Sequence, residues 1–305
     1  KVGTYKSAVE PFIATEMSEA NREQTTAFLN STWKRLLEDI SASRGMSEDD
    51  LKKCADEFMM ISPAETYIAN GLADTLLYKD GVLNYLKELT GREADESLRT
   101  LSLAEMKNVK RNEPLDKSGN IIAVYYAYGE IDSSTSTDEG INSQKVTNDL
   151  RKLREDENVK AVVLRVNSPG GSAFGSEQIW REVSLLKEKK PIIVSMGDYA
   201  ASGGYYISCV ADYIVANPTT LTGSIGIFGM FPNMEKLLTD KLGLHFDGVK
   251  TNQFADMGNM SRSFNAAEKE AMQNYINNGY KLFVERCAEG RGMSVEDIQK
   301  IAEGR

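Results

Sequence analysis

The chain has 305 residues, with 36 Lys and Arg against 45 Asp and Glu, a formal net charge of −9 and a single histidine. An acidic surface repels phosphate and no basic block offsets it, which argues against nucleic acid as a partner, and one histidine removes every metal motif that needs two. A hydrophobic content of 41% with only 7 prolines marks a folded chain long enough for about two domains, while Cys54, Cys209 and Cys287 are too far apart for a disulfide framework or zinc knuckle.

The opening residues Lys1 to Lys6 lack the basic-then-apolar form of a signal peptide, and no run of about 18 apolar residues follows. Helix-type spacing over 18–42 (Phe28, Trp33, Leu36, Leu37, Ile40) stops at Gly45, and Ser47 starts a second short helix, so a helical hairpin is predicted. A third helix is expected near 80–90, then a polar stretch over 91–119. From Ile121 the pattern alternates: strand 121–128, helix 142–154, strand 160–166, helix 174–188, strand 191–196, helix 202–210, strands near 213–216 and 224–229. Continuous apolar runs such as Ala161-Val162-Val163-Leu164 predict a parallel sheet covered on both faces. Leu244-His245-Phe246-Asp247 alternates as a strand, and 265–303 predicts a second helical hairpin.

That second hairpin is a copy of the first. At an offset of 247 residues, Val2 falls on Val249, Thr4 on Thr251, Ala20 on Ala267, Asn30 on Asn277 and Lys34 on Lys281, and Arg44-Gly45-Met46-Ser47 falls on Arg291-Gly292-Met293-Ser294. Strand-and-helix pattern precedes the second copy but not the first, while the first runs on past Phe58, the match of Arg305. The expected organisation is therefore a middle portion of a tandem duplication. Residues 1–90 form the rear of the first unit, 91–119 a linker, and 120–305 a second unit truncated at its end; a natural chain beginning in mid-unit is the alternative.

In parallel α/β sheets, ligands bind at the carboxyl ends of the strands. One end carries Asn167-Ser168-Pro169-Gly170-Gly171-Ser172, a turn and N-cap that also leaves backbone N–H groups open to an oxyanion. The next carries Ala200-Ala201-Ser202-Gly203-Gly204-Tyr205-Tyr206, where small neighbours let Ser202 serve as a helix cap or present its hydroxyl as a nucleophile. Two such ends in succession favour catalysis, one supplying the nucleophile and the other an oxyanion donor. A third glycine-rich element, Leu221-Thr222-Gly223-Ser224-Ile225-Gly226, is a turn that could bring Ser224 to the same cleft, and Ser208 reads as packing. A serine nucleophile needs a base. His245 is the one histidine, and a Ser-His-Asp triad through it is one option; a lysine whose pKa is lowered by burial is another. The two copies differ at Lys6, which faces Gln253. That divergence suits either a base confined to one copy or a neutral surface change.

These motifs, together with Val2-Gly3-Thr4-Tyr5-Lys6-Ser7-Ala8-Val9-Glu10-Pro11-Phe12, resemble the signal peptide peptidase A (protease IV) family in its long, tandem-duplicated bacterial form. The resemblance implies an α/β fold of the Clp protease/crotonase superfamily, built of repeated ββα units with a parallel sheet and helical hairpins. It implies Ser202 as nucleophile, Lys6 as general base, the N–H groups of Gly171 and Gly203 as oxyanion donors, and Ser224 beside the dyad, orienting the lysine, with no metal or organic cofactor. It further implies cleaved signal peptides as substrates, a homo-oligomeric (tetrameric) bowl of protomers, and a place on the outer, periplasmic side of the bacterial cytoplasmic membrane, held by an anchor absent from this sequence. Two other functions share parts of the pattern: a crotonase-type acyl-CoA enzyme, and a silent assembly scaffold using the hairpins.

Overall fold

The computed structural model describes residues 1–57, 59–109, 118–132 and 140–303. Phe58, Arg305 and residues 110–117 of the expected linker lie outside the described residues. By their contacts the residues form two units, Asn30–Ser118 on the one hand and Lys1–Leu29 with Gly119–Arg305 on the other.

The N-terminal elements are a single turn α1 (Glu10–Ile13) and the long helix α2 (Glu19–Arg44), whose residues are shared between the two units. The smaller unit continues with α3 (Glu48–Asp56), α4 (Ala64–Ala69) and α5 (Lys79–Leu89). Its buried side chains include Leu37, Leu51, Cys54 and Met59, and Arg44 secures it by pairing with Asp74 at 2.9 Å and donating to the Gly71 carbonyl at 2.9 Å.

The larger unit is built on five parallel strands. These are β1 (Ile121–Tyr128), β2 (Val159–Ser168), β3 (Ile192–Ala201), β4 (Tyr213–Val215) and β5 (Leu221–Gly223). They pair in the order β1-β2-β3-β4, and β3 is long enough to take β4 along Ile193–Ser195 and then β5 along Tyr199–Ala201. Between and after them lie α6 (Ser143–Glu155), α7 (Ala173–Lys187), α8 (Gly203–Ser208), α9 (Ala266–Arg291) and α10 (Val295–Ala302). Side chains alternate across a strand, so one sheet face carries Val162, Leu164 and Val166 of β2 with Ile192, Val194 and Met196 of β3. All are buried in one core with Leu150, Ile179, Val183, Ile207, Phe283 and Cys287 from the helices.

The opposite face departs from expectation. Ile122 is 69% exposed, Tyr126 63% and Tyr213 65%, so among the described residues the sheet is covered on one face rather than two. The apolar runs misled because β2 is apolar on both sides, Val163 pairing with Val124 on the open one, whereas the described helices pack only against the other. Two predicted strands also change. The third glycine-rich element pairs as a strand only over Leu221–Gly223 and turns away at Ser224, where φ is 47°; residues 244–247 form an exposed loop, not a strand.

The two copies of the hairpin fold alike. α2 and α9 each have 26 residues and begin and end at equivalent positions, Gly45 and Gly292 end them with φ of 66° and 63°, and Ser47 and Ser294 each accept from the N–H three residues on at 3.1 Å. Their packing differs: α9 buries Ile276 and Phe283, whereas the equivalent Leu29 and Leu36 of α2 are exposed.

Helix α9 lies so close to the end of α8 that a Cβ on Gly290 would stand 2.4 Å from the Cys209 carbonyl oxygen. Gly290→Ala should therefore lower stability by about 1–3 kcal/mol in urea unfolding, because backbone must move to admit the methyl. The equivalent exposed Ser43 should accept alanine within about 0.5 kcal/mol.

Candidate active site

Three strand ends converge. β3 ends at Ala201, and Ser202 follows with φ 52° and ψ −118°, a conformation that a residue other than glycine holds only when its surroundings enforce it. The Ser202 N–H donates to the Gly223 carbonyl at the end of β5 at 2.9 Å, which sets Ser202 beside Ser224. On the other side, the turn after β2 presses against the same residues: a Cβ on Gly170 would lie 2.6 Å from the Gly203 nitrogen and 2.8 Å from the Ser202 Cβ. Only glycine fits there. Gly171, at a φ of 146° that favours glycine, bridges Ile131, which donates to the Gly170 carbonyl at 2.8 Å and accepts from the Ser172 N–H at 2.9 Å. Both bonds to Ile131 are made by the Gly170 carbonyl and the Ser172 N–H, so the Gly171 N–H is not spent on Ile131. The Gly203 N–H opens α8 and has no partner within the helix.

Lys6 enters from the N-terminal segment. It is 6% exposed, and its Nζ donates to the Ser224 Oγ at 2.8 Å and reaches the Ser224 carbonyl at 3.4 Å. Burial lowers its pKa from 10.5 to about 8, since an ammonium without a carboxylate partner loses hydration and gains no compensating charge. Gln24 on α2 holds the residues on either side of Lys6, donating to the Tyr5 carbonyl at 2.9 Å and the Ser7 hydroxyl at 3.1 Å. The Tyr5 N–H donates to the Glu303 carbonyl at the end of α10 at 3.2 Å.

Lys6, Ser202, Ser224, Gly171 and Gly203 all line one cleft of about 560 Å³. Its far wall is apolar, made by Phe228 and Phe231 after β5 and by Met272, Tyr275 and Ile276 of α9. The residues singled out in the sequence are thus brought together across more than two hundred positions. His245 is not among the described residues lining the cleft and sits in the exposed 244–247 loop, away from any triad geometry. Ser208 is buried with its hydroxyl on the Gly204 carbonyl at 2.6 Å, a packing role as expected. Sequence reasoning missed Gln24 and the aromatic wall. Gln24 had a signal in the repeat, since its counterpart is Ala271 and it changes together with Lys6 and Gln253.

The family model of Peptidase family S49 matches residues 1–93 and 184–305. The chain belongs to peptidase family S49. Protease 4 of Salmonella typhi is 38% identical over 312 residues, covering 100% of this chain and 50% of the relative, and the chloroplastic serine protease SPPA of Arabidopsis thaliana is 32% identical over 311 residues, covering 100% and 46%. The chain therefore spans about half the length of these S49 relatives. A solved ClpP1 structure from Listeria monocytogenes matches 58% of this chain and 77% of its own, at 17% identity and a TM-score of 0.34.

Because Lys6 gives up its proton more readily in the folded chain than in the unfolded one, its burial destabilises the S49 fold fully below about pH 8, and this penalty fades as pH rises toward 10.5. Lys6→Met should raise stability at pH 7 by about 1–3 kcal/mol and flatten the rise in stability between pH 8 and 10. Denaturant titrations across that range provide the check, and an unaltered pH dependence would contradict the buried ammonium.

Proposed function

We propose that this chain carries the catalytic centre of a serine endopeptidase working through a Ser202–Lys6 dyad. The observation that carries the reading is the buried Lys6 amine, hydrogen-bonded to Ser224 in the cleft that Ser202 also lines. At a pKa of about 8 roughly one Lys6 in ten is neutral at pH 7, enough to act as a general base. Neutral Lys6 takes the proton of the Ser202 hydroxyl, Oγ attacks the peptide carbonyl, and the N–H groups of Gly171 and Gly203 hold the oxyanion of the tetrahedral intermediate. The amine leaving group takes the proton from Lys6, and water then releases the acyl group by the same steps. Ser224 orients the lysine throughout.

The apolar wall supports substrates with hydrophobic segments, in agreement with remnant signal peptides. The resemblance that implies those substrates also implies a tetramer on the outer side of the bacterial cytoplasmic membrane. Among the described residues no helix is long and apolar enough to cross a membrane.

Incubation with a fluorophosphonate followed by peptide mapping tests the centre. The adduct should sit on Ser202, and Lys6→Ala should slow labelling and peptide hydrolysis at least about a hundredfold without unfolding the chain. The rate should climb with pH and level off above about 8, where Lys6 is neutral. Labelling elsewhere, or undiminished hydrolysis by Lys6→Ala, would rule the dyad out.

A further inference from the structure

The helix that follows Ser202 is too short to hold itself. α8 has six residues, and a helix of that length needs tertiary contacts. Its start carries both Ser202, in its enforced conformation, and the Gly203 N–H. The Ser202 N–H bond to Gly223 fastens only the sheet side.

The opposite side is fastened by side chains to which the chemistry above assigns no part. Tyr206, one turn beyond Ser202, is 6% exposed, and its hydroxyl donates to Glu177 Oε2 at 2.5 Å. Glu177 lies on α7, the helix that begins directly after Gly170-Gly171-Ser172. The other Glu177 oxygen accepts from Arg286 Nη2 of α9 at 2.7 Å, and the Arg286 guanidinium lies 3.7 Å from the centre of the buried Trp180 ring. The Tyr206 ring packs on Phe283 of α9 at 4.6 Å between centroids. Burial and the Glu177 carboxylate push the Tyr206 hydroxyl up, so it stays a donor. The helix that follows Gly171 and the helix that opens at Gly203 are therefore joined through one carboxylate, itself held by a stacked arginine. In the first copy of the repeat Arg286 is replaced by Asp39 and Phe283 by Leu36, so that helix could not form the same clamp.

Resting on the dyad reading above, we infer that Glu177 and Arg286, acting through the Tyr206 hydroxyl, are positioning residues that set the spacing of the Gly171 and Gly203 N–H groups and the aim of Ser202. The clamp matters to the rate because misplacing a reacting group by about 1 Å is enough to lose on the order of a hundredfold.

The experiment compares the full chain with Tyr206→Phe, Glu177→Gln and Glu177→Leu, following peptide hydrolysis, fluorophosphonate labelling and thermal unfolding. Tyr206→Phe keeps the ring on Phe283 and removes only the donor. It should lower kcat about tenfold while KM moves less than about threefold, with labelling slowed in proportion. Glu177→Gln, which can still accept from Tyr206, should retain more of kcat than Glu177→Leu even where both unfold at the same temperature. A Tyr206→Phe chain labelled at the wild-type rate, or losses in kcat that follow the unfolding temperature across all variants, would overturn the clamp while leaving the dyad standing. A wild-type chain unlabelled at Ser202 would remove both.

Discussion

The burial of one ammonium group without a counter-charge is the constraint around which the larger unit is arranged. A lysine in water is protonated far above neutrality, and a lysine paired with a carboxylate holds its proton more firmly still. Lys6 escapes both by lying 6% exposed against the Ser224 hydroxyl and carbonyl, which accept its hydrogen bonds and add no negative charge. The remaining features of the site bring uncharged groups to that amine. β5 ends beside it, the Ser202 N–H is tied to β5, and the Gly170 turn closes over Ser202 with no room for a side chain.

Much of this was legible because local chemistry and tertiary position coincide at the strand ends. β1, β2, α6 and α7 lie within one or two residues of their predicted bounds, since each has a clean period and a cap such as Asn142 or Ser172. The strand end at Ala201 and the turn at Ser224 were harder. There the chain obeys a contact across the sheet rather than its own pattern, and Ser224 leaves the strand at positive φ. The sheet's open face was not legible at all. An apolar residue such as Val124 signals that a surface can be covered, and periodicity carries no record of what covers it.

The clamp on α8 escaped the sequence for a related reason. Glu177, Tyr206 and Arg286 stand on three different helices, and each is ordinary in its own window. Their meaning comes from convergence, which a linear pattern cannot express. The repeat offered one indirect sign, the change from Asp39 to Arg286 at equivalent positions of two otherwise matching helices. Lys6 and Gln24 gave the same kind of sign against Gln253 and Ala271. Comparing the chain with itself thus located the differences that border the cleft and its helices, although it could not say what they contact.

The same comparison explains how the two copies secure equivalent segments by different means. In the second copy the loop leading into α9 is held by ions: Arg262 bonds Asp256 at 2.7 Å and Glu268 at 2.5 Å, and Lys250 bonds Asp256 at 2.7 Å. The equivalents of Asp256, Arg262 and Glu268 beside Lys6 are Val9, Thr15 and Asn21, all uncharged. Charged groups are still close by: the Lys1 ammonium donates to the Lys6 carbonyl at 3.0 Å, the Tyr5 hydroxyl donates to Glu23 at 2.7 Å, and Glu10 accepts from Ser18 at 2.6 Å and Asn21 at 2.8 Å. An ionic cluster like that of the second copy would place carboxylates near the Lys6 amine and raise its pKa back toward that of a free lysine. Here the segment is held by single hydrogen bonds, some neutral like those from Gln24 and some to one charged group like that from Asn21 to Glu10, while the Lys6 amine itself bonds only to Ser224 among the described residues. The segment bearing Lys6 is thus fastened by single hydrogen bonds where the second copy uses a network of ion pairs, and the amine keeps the uncharged Ser224 as its partner.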